Sequence, residues 1–355
     1  MDSEPTRFLI IRLSAIGDIL HATAVAHNLR LARPDAHITW LASPPASILL
    51  SANPDIDELL VWDRRPLDQA ISRLQFRTVC QELRKLRKFL NGRRFDIVLD
   101  IHCLFLTGLI AHFTHTRRCI GIRDLHEFNH IFMTQLAPKL QDPHKIRRYL
   151  SVLTPLGIPA EHLEPILTLP SSLDGFAEDF FARHEIRPGQ PILMVAARTT
   201  RPNKNWPLES FAAALSDLPE KIQIIFCGSA ADQPYIRQIQ DKLPRASLSI
   251  AGTTNLLELA ALFRASSLLL SGDTGPLQIA AASGLPTLSL WGPTPHNIFG
   301  PLRGPHRFIL SPHSCTACRK DTCRCKTNAC INAISPKTVA QALQDFFQPQ
   351  AEPRP

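Results

Sequence analysis

Short apolar runs alternate with stretches of helical period along almost the whole chain. RFLIIRL (7–13), with the apolar run FLII at its centre, reads as a buried strand, and Ile19 to Leu31 repeats its apolar residues at helical spacing. HITWLA (37–42) and DELLVWD (57–63) are the next predicted strands, and Leu67 to Leu90 has the spacing of a helix. FDIVLDI (95–101), a helix from Leu104 to Phe113 and the strand RRCIGI (117–122) follow. Between about 123 and 170 the pattern loosens, interrupted by Pro138, Pro143, Pro155, Pro159, Pro165 and Pro170. Alternation resumes with QPILMVAA (190–197), KIQIIFCG (221–228), LSIAG (248–252), SLLLSG (267–272) and PTLSLWG (286–292), with helical segments between them. A last helix is predicted over about Pro336 to Phe347.

This alternation predicts an α/β protein with parallel sheets covered by helices on both faces. The chain has 355 residues, enough for two domains at about 150 residues each. The expected boundaries are 1–165 and 166–335, followed by a helix at 336–347 that crosses back toward the first domain and a disordered tail at 348–355. Strand C-termini and helix N-termini of two such domains are expected to face a ligand cleft.

Composition narrows the class. Hydrophobic residues at 45% and charged residues at 20% exclude a disordered or fibrous chain. No run of about 20 apolar residues lacks a charge or a breaker, which excludes a spanning helix. The N-terminus opens acidic and its apolar run is too short for a signal peptide, so a cytoplasmic protein is expected. Lys and Arg number 39 against 31 Asp and Glu, a net charge of +8. That balance reflects either coding bias or an anionic partner such as a nucleotide or phosphorylated lipid. The sparse aromatics do not make a nucleic-acid platform.

Three loops carry candidate chemistry. In Ser14-Ala15-Ile16-Gly17-Asp18 a strand hands over to a helix, and Asp18 is read either as a helix cap or as a carboxylate able to take a proton from a hydroxyl. The G-x-G-x-x-G dinucleotide spacing is absent there. Ala197 to Pro207 (ARTTRPNKNWP) gathers hydroxyls, arginines and a lysine before a helix, either a solvated basic loop or a phosphate cradle. In Ser271-Gly272-Asp273-Thr274-Gly275-Pro276 a strand ends and a small-residue helix starts, so the amides of Thr274 and Gly275 stand at the positive end of a helix dipole. There the plain structural role is a cap from Asp273 or Thr274.

In this order the loops resemble those of the bacterial ADP-heptose:lipopolysaccharide heptosyltransferases, inverting glycosyltransferases of family 9 and GT-B type. The resemblance runs over about 7–347 and rests on RLSAIGDILHATAVAHNLR, TTRPNKNWP and GDTGPLQIAAASGLPTLSLWGPT. It implies two Rossmann-like domains facing a cleft, an ADP-heptose donor and a lipopolysaccharide inner-core acceptor. It also implies that Asp18 is the general base and that Lys204 neutralises the diphosphate leaving group. Thr199 and Thr200 match hydroxyl ligands of the phosphates, and Asp273, Thr274 and Gly275 match the donor-binding element. No metal cofactor is implied. An anionic glycolipid acceptor would place the protein peripherally on the cytoplasmic face of the inner membrane, with no nucleic-acid partner. Another nucleotide sugar or acceptor, or a non-catalytic nucleotide-sugar-binding protein, is the alternative.

The chain departs from the family pattern at Gln278, where a His is common, and at His102-Cys103-Leu104 on the acceptor side. Arg64, Arg65 and His102 are the candidate acceptor-binding residues. The basic run Arg84, Lys85, Arg87, Lys88, Arg93 and Arg94 is either a solvated helix face or an attraction for an anionic surface.

Cys80, Cys103, Cys119 and Cys227 read as buried thiols. Cys315, Cys318, Cys323, Cys325 and Cys330 crowd together with the spacing C-x2-C-x4-C-x-C-x4-C. Thiols, a structural zinc site and an iron–sulfur cluster all remain open for them.

Overall fold

The computed structural model describes residues 4–123, 126–313, 322–323 and 327–348. The chain divides into two compact units, Met1–Thr168 and Leu169–Pro355.

In the first unit β1 (Arg7–Ile11), α1 (Ile16–Ala32), β2 (His37–Ala42), β3 (Glu58–Val61), α2 (Arg65–Ser72), α3 (Phe76–Leu90), β4 (Ile97–Asp100), α4 (Phe105–Phe113), β5 (Arg118–Gly121), β6 (Gln135–Leu136) and α5 (Lys145–Leu150) follow in chain order. The strands form one parallel sheet in the order β3-β2-β1-β4-β5-β6. Its centre explains the continuous apolar run at 8–11. Phe8 and Ile10 point into a core with α1 and α5, while Leu9 and Ile11 point into a second core with α3 and α4. All four are essentially inaccessible, and burying each such side chain contributes about 1.5–3 kcal/mol. A charge at Ile10 would remove that contribution and strand an ion in the core.

The helix predicted over 67–90 is two helices. It breaks at Arg73–Gln75, where Leu74 takes a left-handed φ of 54° that no helical hydrogen-bond pattern tolerates.

In the second unit α6 (Phe176–Arg183), β7 (Ile192–Ala196), α7 (Leu208–Ser216), β8 (Gln223–Phe226), α8 (Gln233–Gln240), β9 (Leu248–Ser249), α9 (Leu256–Arg264), β10 (Leu268–Gly272), α10 (Gly275–Ala282), β11 (Thr287–Trp291), α11 (His296–Phe299), β12 (His306–Leu310), α12 (Ala329–Asn332) and α13 (Pro336–Phe347) follow. The sheet order is β12-β11-β10-β7-β8-β9, again all parallel. Numbered from its own first strand, each sheet therefore runs 3-2-1-4-5-6, the Rossmann order.

The edge strand β12 has no counterpart among the sequence expectations. Its half-exposed HRFIL, flanked by prolines, lacks a buried strand's apolar run. The terminal helix α13, expected to cross toward the first domain, buries Val339, Ala342 and Leu343 in the core of the second unit, where it packs on α7. The tail from 349 onward lies outside the described residues. Among the described residues no helix is long and apolar enough to cross a membrane.

Candidate active site

In a sheet of this order the strand order reverses between the first and fourth strands. Ligands bind there, beyond the strand C-termini. Both units place their predicted chemistry at that point.

In the first unit the loops after β1 and β4 lie side by side. Arg12 donates from Nη1 to the Ile101 carbonyl at 3.0 Å, and the Leu13 amide donates to Nδ1 of His102 at 3.1 Å. Asp18 sits in the first turn of α1. It does not cap the helix, because the N-cap is Ala15 and no side chain serves there. Its carboxylate is held at both ends instead. Arg12 Nη2 reaches Oδ2 at 2.6 Å, and the Tyr149 hydroxyl donates to Oδ1 at 2.5 Å. The Arg12 guanidinium also lies 5.0 Å from the centre of the Tyr149 ring, with the Lys145 ammonium 5.6 Å from it.

Burial opposes ionisation of Asp18. Arg12, Lys145 and the Tyr149 hydroxyl outweigh it and hold the carboxyl well below the usual carboxylate range. Burial holds the Tyr149 phenol well above its usual value, so it stays a donor. His102 is pushed down to about 3, first by burial and then by Arg12 and Arg64, so its ring is neutral. Asp100, at the end of β4, accepts from the amides of His102 and Cys103 and from the Asn129 side chain, which fixes this turn.

The other candidate acceptor residues are engaged locally. Arg64 forms a two-pronged pair with Asp68 at 2.8 Å, and Arg65 pairs with Asp63 at the exposed start of α2. Arg12, Lys145 and Tyr149 have no place among the sequence candidates. Arg12 had a signal, a cation closing a buried strand next to the Asp18 loop. Tyr149 had none, since it comes from α5, 131 residues away.

In the second unit the loops after β7 and β10 meet in the same way. Lys204 Nζ donates to Asp273 Oδ2 at 2.5 Å, and the two side chains are only 14% and 15% exposed. Gly272 allows this approach, since a Cβ there would stand 3.3 Å from Thr199 Cγ2. Thr199 braces its own loop: its amide donates to Asn205 Oδ1 at 2.8 Å, and its hydroxyl lies within bonding distance of that oxygen and of the Arg201 carbonyl. Thr200 is exposed on the same loop. Thr274 is the N-cap of α10 without a side-chain cap bond, so Gly275 opens the helix with its first amides uncovered by that hydroxyl. Gln278 is buried and donates to the Phe299 carbonyl at 2.8 Å, tying α10 to the end of α11.

Among the cysteines, Cys103, Cys119 and Cys227 are buried as expected, but Cys80 is exposed because it falls on the outer face of α3. Burial raises the Cys119 thiol to about 11 and that of Cys227 to about 12. Of the clustered cysteines, Cys315, Cys318 and Cys325 lie outside the described residues, and Cys330 is buried on α12. Among the described residues no group of three or more His, Cys, Asp or Glu side chains is placed to hold a metal ion.

Two Rossmann sheets, each with a charged pair at its switch point, define a two-unit α/β protein of the kind that binds ligands beyond its strand C-termini. The model of glycosyltransferase family 9 (heptosyltransferase) matches residues 83–329, well over half of the chain. The chain is 27% identical over 292 residues to the lipopolysaccharide core heptosyltransferase OpsX of Haemophilus influenzae, covering 81% of this chain and 79% of the relative. Among solved structures, a family 9 glycosyl transferase from Veillonella parvula superposes with a TM-score of 0.83 at 23% identity, covering 98% of each chain. Heptosyltransferase WaaC of E. coli, solved with ADP, superposes with a TM-score of 0.74 at 16% identity, covering 96% of this chain and all of the other. The chain belongs to glycosyltransferase family 9, the heptosyltransferase family, and is a glycosyltransferase.

Proposed function

We propose that this enzyme transfers a heptose from ADP-heptose to a lipopolysaccharide inner-core acceptor with inversion, using Asp18 as the general base and Lys204 as the clamp on the leaving diphosphate. The observation that carries the reading is the placement of Arg12–Asp18 and Lys204–Asp273 at the two switch points. The donor is supported by the family and by the solved relatives bound to ADP and to ADP-2-deoxy-2-fluoro heptose. The acceptor is supported by the relatives named for lipopolysaccharide.

Asp18 is ionised at any assay pH, because its carboxylate is paired with Arg12 and Tyr149. A carboxylate held so low is a weak base toward a free alcohol. It suffices for a hydroxyl already bonding to the anomeric carbon, because that oxygen becomes cationic and sheds its proton readily. In the same step the donor's glycosidic oxygen leaves with the electron pair, and the β-phosphate gains charge. Lys204 and the amide end of α10 stand ready to receive that charge in the second unit. Asp273 would then exchange its bond to Lys204 for donor-sugar hydroxyls. In this reading those protein groups carry the diphosphate charge that a divalent cation carries in other transferases. The membrane-embedded acceptor makes the enzyme a peripheral protein of the inner leaflet.

Gln278 favours a second reading in which the donor is another nucleotide sugar, because this buried amide is tied to Phe299 and cannot carry a charge. Calorimetry with ADP, UDP and GDP separates the two. Selective ADP binding, weakened by Lys204→Ala, supports the heptose reading. A preference for UDP or GDP discards it while keeping the glycosyltransferase. No binding to any of the three removes the site assignment.

A further inference from the structure

The charge of this chain is concentrated in one hairpin. Residues 69–94 hold eight Lys and Arg and a single Asp or Glu, Glu82, so the segment carries +7 of the chain's +8 and the rest is balanced to within one charge. The segment is the end of α2, the turn at Arg73–Gln75, all of α3 and the four residues after it, which include Arg93 and Arg94.

The helix spreads these charges on one side. Leu86 and Leu90 are buried against the first unit's core, whereas Arg77, Arg84, Lys85, Arg87 and Lys88 are exposed. Lys85 pairs with Glu82 at 2.7 Å, and Arg93 pairs with Glu58 at 3.0 Å. Arg77, Arg84, Arg87 and Lys88 make no ion pair with any described residue. One end of this basic face is apolar. Ile71, Leu74 and Phe76 are 52%, 73% and 76% exposed, and the last two are the most exposed large apolar side chains among the described residues. Leu74 holds the left-handed φ that turns the chain, so the turn itself presents this tip to solvent.

A basic face continued by an exposed apolar tip fits one surface chemistry, an anionic bilayer, in which cations meet headgroup phosphates and the tip enters the acyl boundary. Nucleic acid would satisfy the cations and leave the tip in water. We propose that the α2–α3 hairpin is the membrane-docking surface of this enzyme, with Arg77, Arg84, Arg87 and Lys88 on anionic headgroups and Leu74 and Phe76 inserted between lipids. Its purpose rests on the membrane-glycolipid reading of the acceptor, but docking itself is independent of catalysis.

The test is co-sedimentation of the full chain with vesicles of phosphatidylethanolamine and phosphatidylglycerol, against pure phosphatidylcholine, at two salt concentrations. Binding to the anionic vesicles alone, weakened by salt, is expected. Arg84→Gln with Lys88→Gln lowers the partition coefficient about 30-fold, and Leu74→Ser with Phe76→Ser lowers it about tenfold or more. Arg237→Gln with Lys242→Gln, on the second unit, leaves it unchanged. ADP affinity by calorimetry stays at the wild-type value in every variant, which separates failure of docking from failure of the glycosyl-transfer reading. Four results overturn docking: no anionic-vesicle binding by the wild type, indifference to the hairpin changes, a dimer by sedimentation velocity that Leu74→Ser with Phe76→Ser dissolves, or oligonucleotide binding that this pair of changes spares.

Discussion

The Tyr149 hydroxyl donates to Asp18 Oδ1 at 2.5 Å, joining α5 to the first turn of α1 across 131 residues of sequence. With Arg12 on the other oxygen, both oxygens of the carboxylate are held, each with a lone pair to spare, before any substrate arrives. Orientation of this kind favours a base that need not reorganise during transfer.

Replacing the proposed base, Asp18, separates chemistry from binding. Asp18→Asn keeps the shape and the Tyr149 contact but cannot accept a proton. Turnover falls by about 100-fold or more while ADP affinity, which the proposal assigns to the second unit, stays within about twofold. Steady-state kinetics with calorimetry checks this, and near-full turnover would show that Asp18 is not the base.

Tyr149→Phe preserves the packing of a fully buried ring and deletes one bond to a charged acceptor. Stability falls by about 1.5 kcal/mol, the low end for such a bond. Asp18 loses one of the groups that lower its pKa, so its carboxyl, followed by carbon-13 NMR, titrates at higher pH than in the wild type. A carboxyl titration that does not move, with the same loss of stability, would assign Tyr149 to packing alone.

Asp18 and His102 act on stability in different pH windows. The folded pKa of Asp18 is depressed. Its contribution is therefore complete above the unfolded value of about 3.9 and lost only as pH falls through the lower folded one. His102 is also depressed, to about 3, which means that the unfolded chain takes up a proton below about 6.5 that the native ring refuses. Stability therefore declines between about pH 6.5 and 3 because of His102, by about 1–2 kcal/mol at pH 5. Urea unfolding at pH 7 and pH 5 measures the decline. His102→Gln reduces it, and an unchanged slope would remove His102 as its source.

Lys204 and Asp273 are coupled before any donor binds. Lys204→Ala leaves a largely buried carboxylate without its counter-charge. It lowers stability by about 1–3 kcal/mol and weakens ADP binding by about tenfold or more. Lys204→Ala with Asp273→Ala recovers part of the stability but none of the affinity. Thermal unfolding of the double-mutant cycle, with calorimetry alongside, reads both effects, and additive stability losses would show that the pair is not coupled.

If Lys204 and the amide end of α10 carry the leaving-group charge, a chelator does not slow transfer. Assays with and without EDTA check this directly. Loss of activity restored by a divalent cation would overturn the assignment.

Most strands were legible in the sequence, because a parallel strand buried on both faces needs an uninterrupted apolar run, as in FLII and ILMVA. The half-exposed β12 lacks such a run. So were the loops at 14–18, 197–207 and 271–276, because a strand-to-helix handover with glycine, hydroxyls and charge is a local pattern. Helical period alone could not show the break in 67–90, because Leu74 turns the chain without a glycine or proline to mark it. Nor could it show that Arg64 and Arg65 would be taken up by neighbouring aspartates. Sequence by itself therefore determined the α/β class, the strand-to-helix loops and the identity of Asp18, Lys204 and Asp273 as candidates. Only the tertiary structure decided the order of the strands, which neighbours each carboxylate has, and hence the ionisation of Asp18. Those depend on side chains such as Arg12, Tyr149 and His102, which converge at strand ends from distant parts of the chain, and charge interactions follow distance in space.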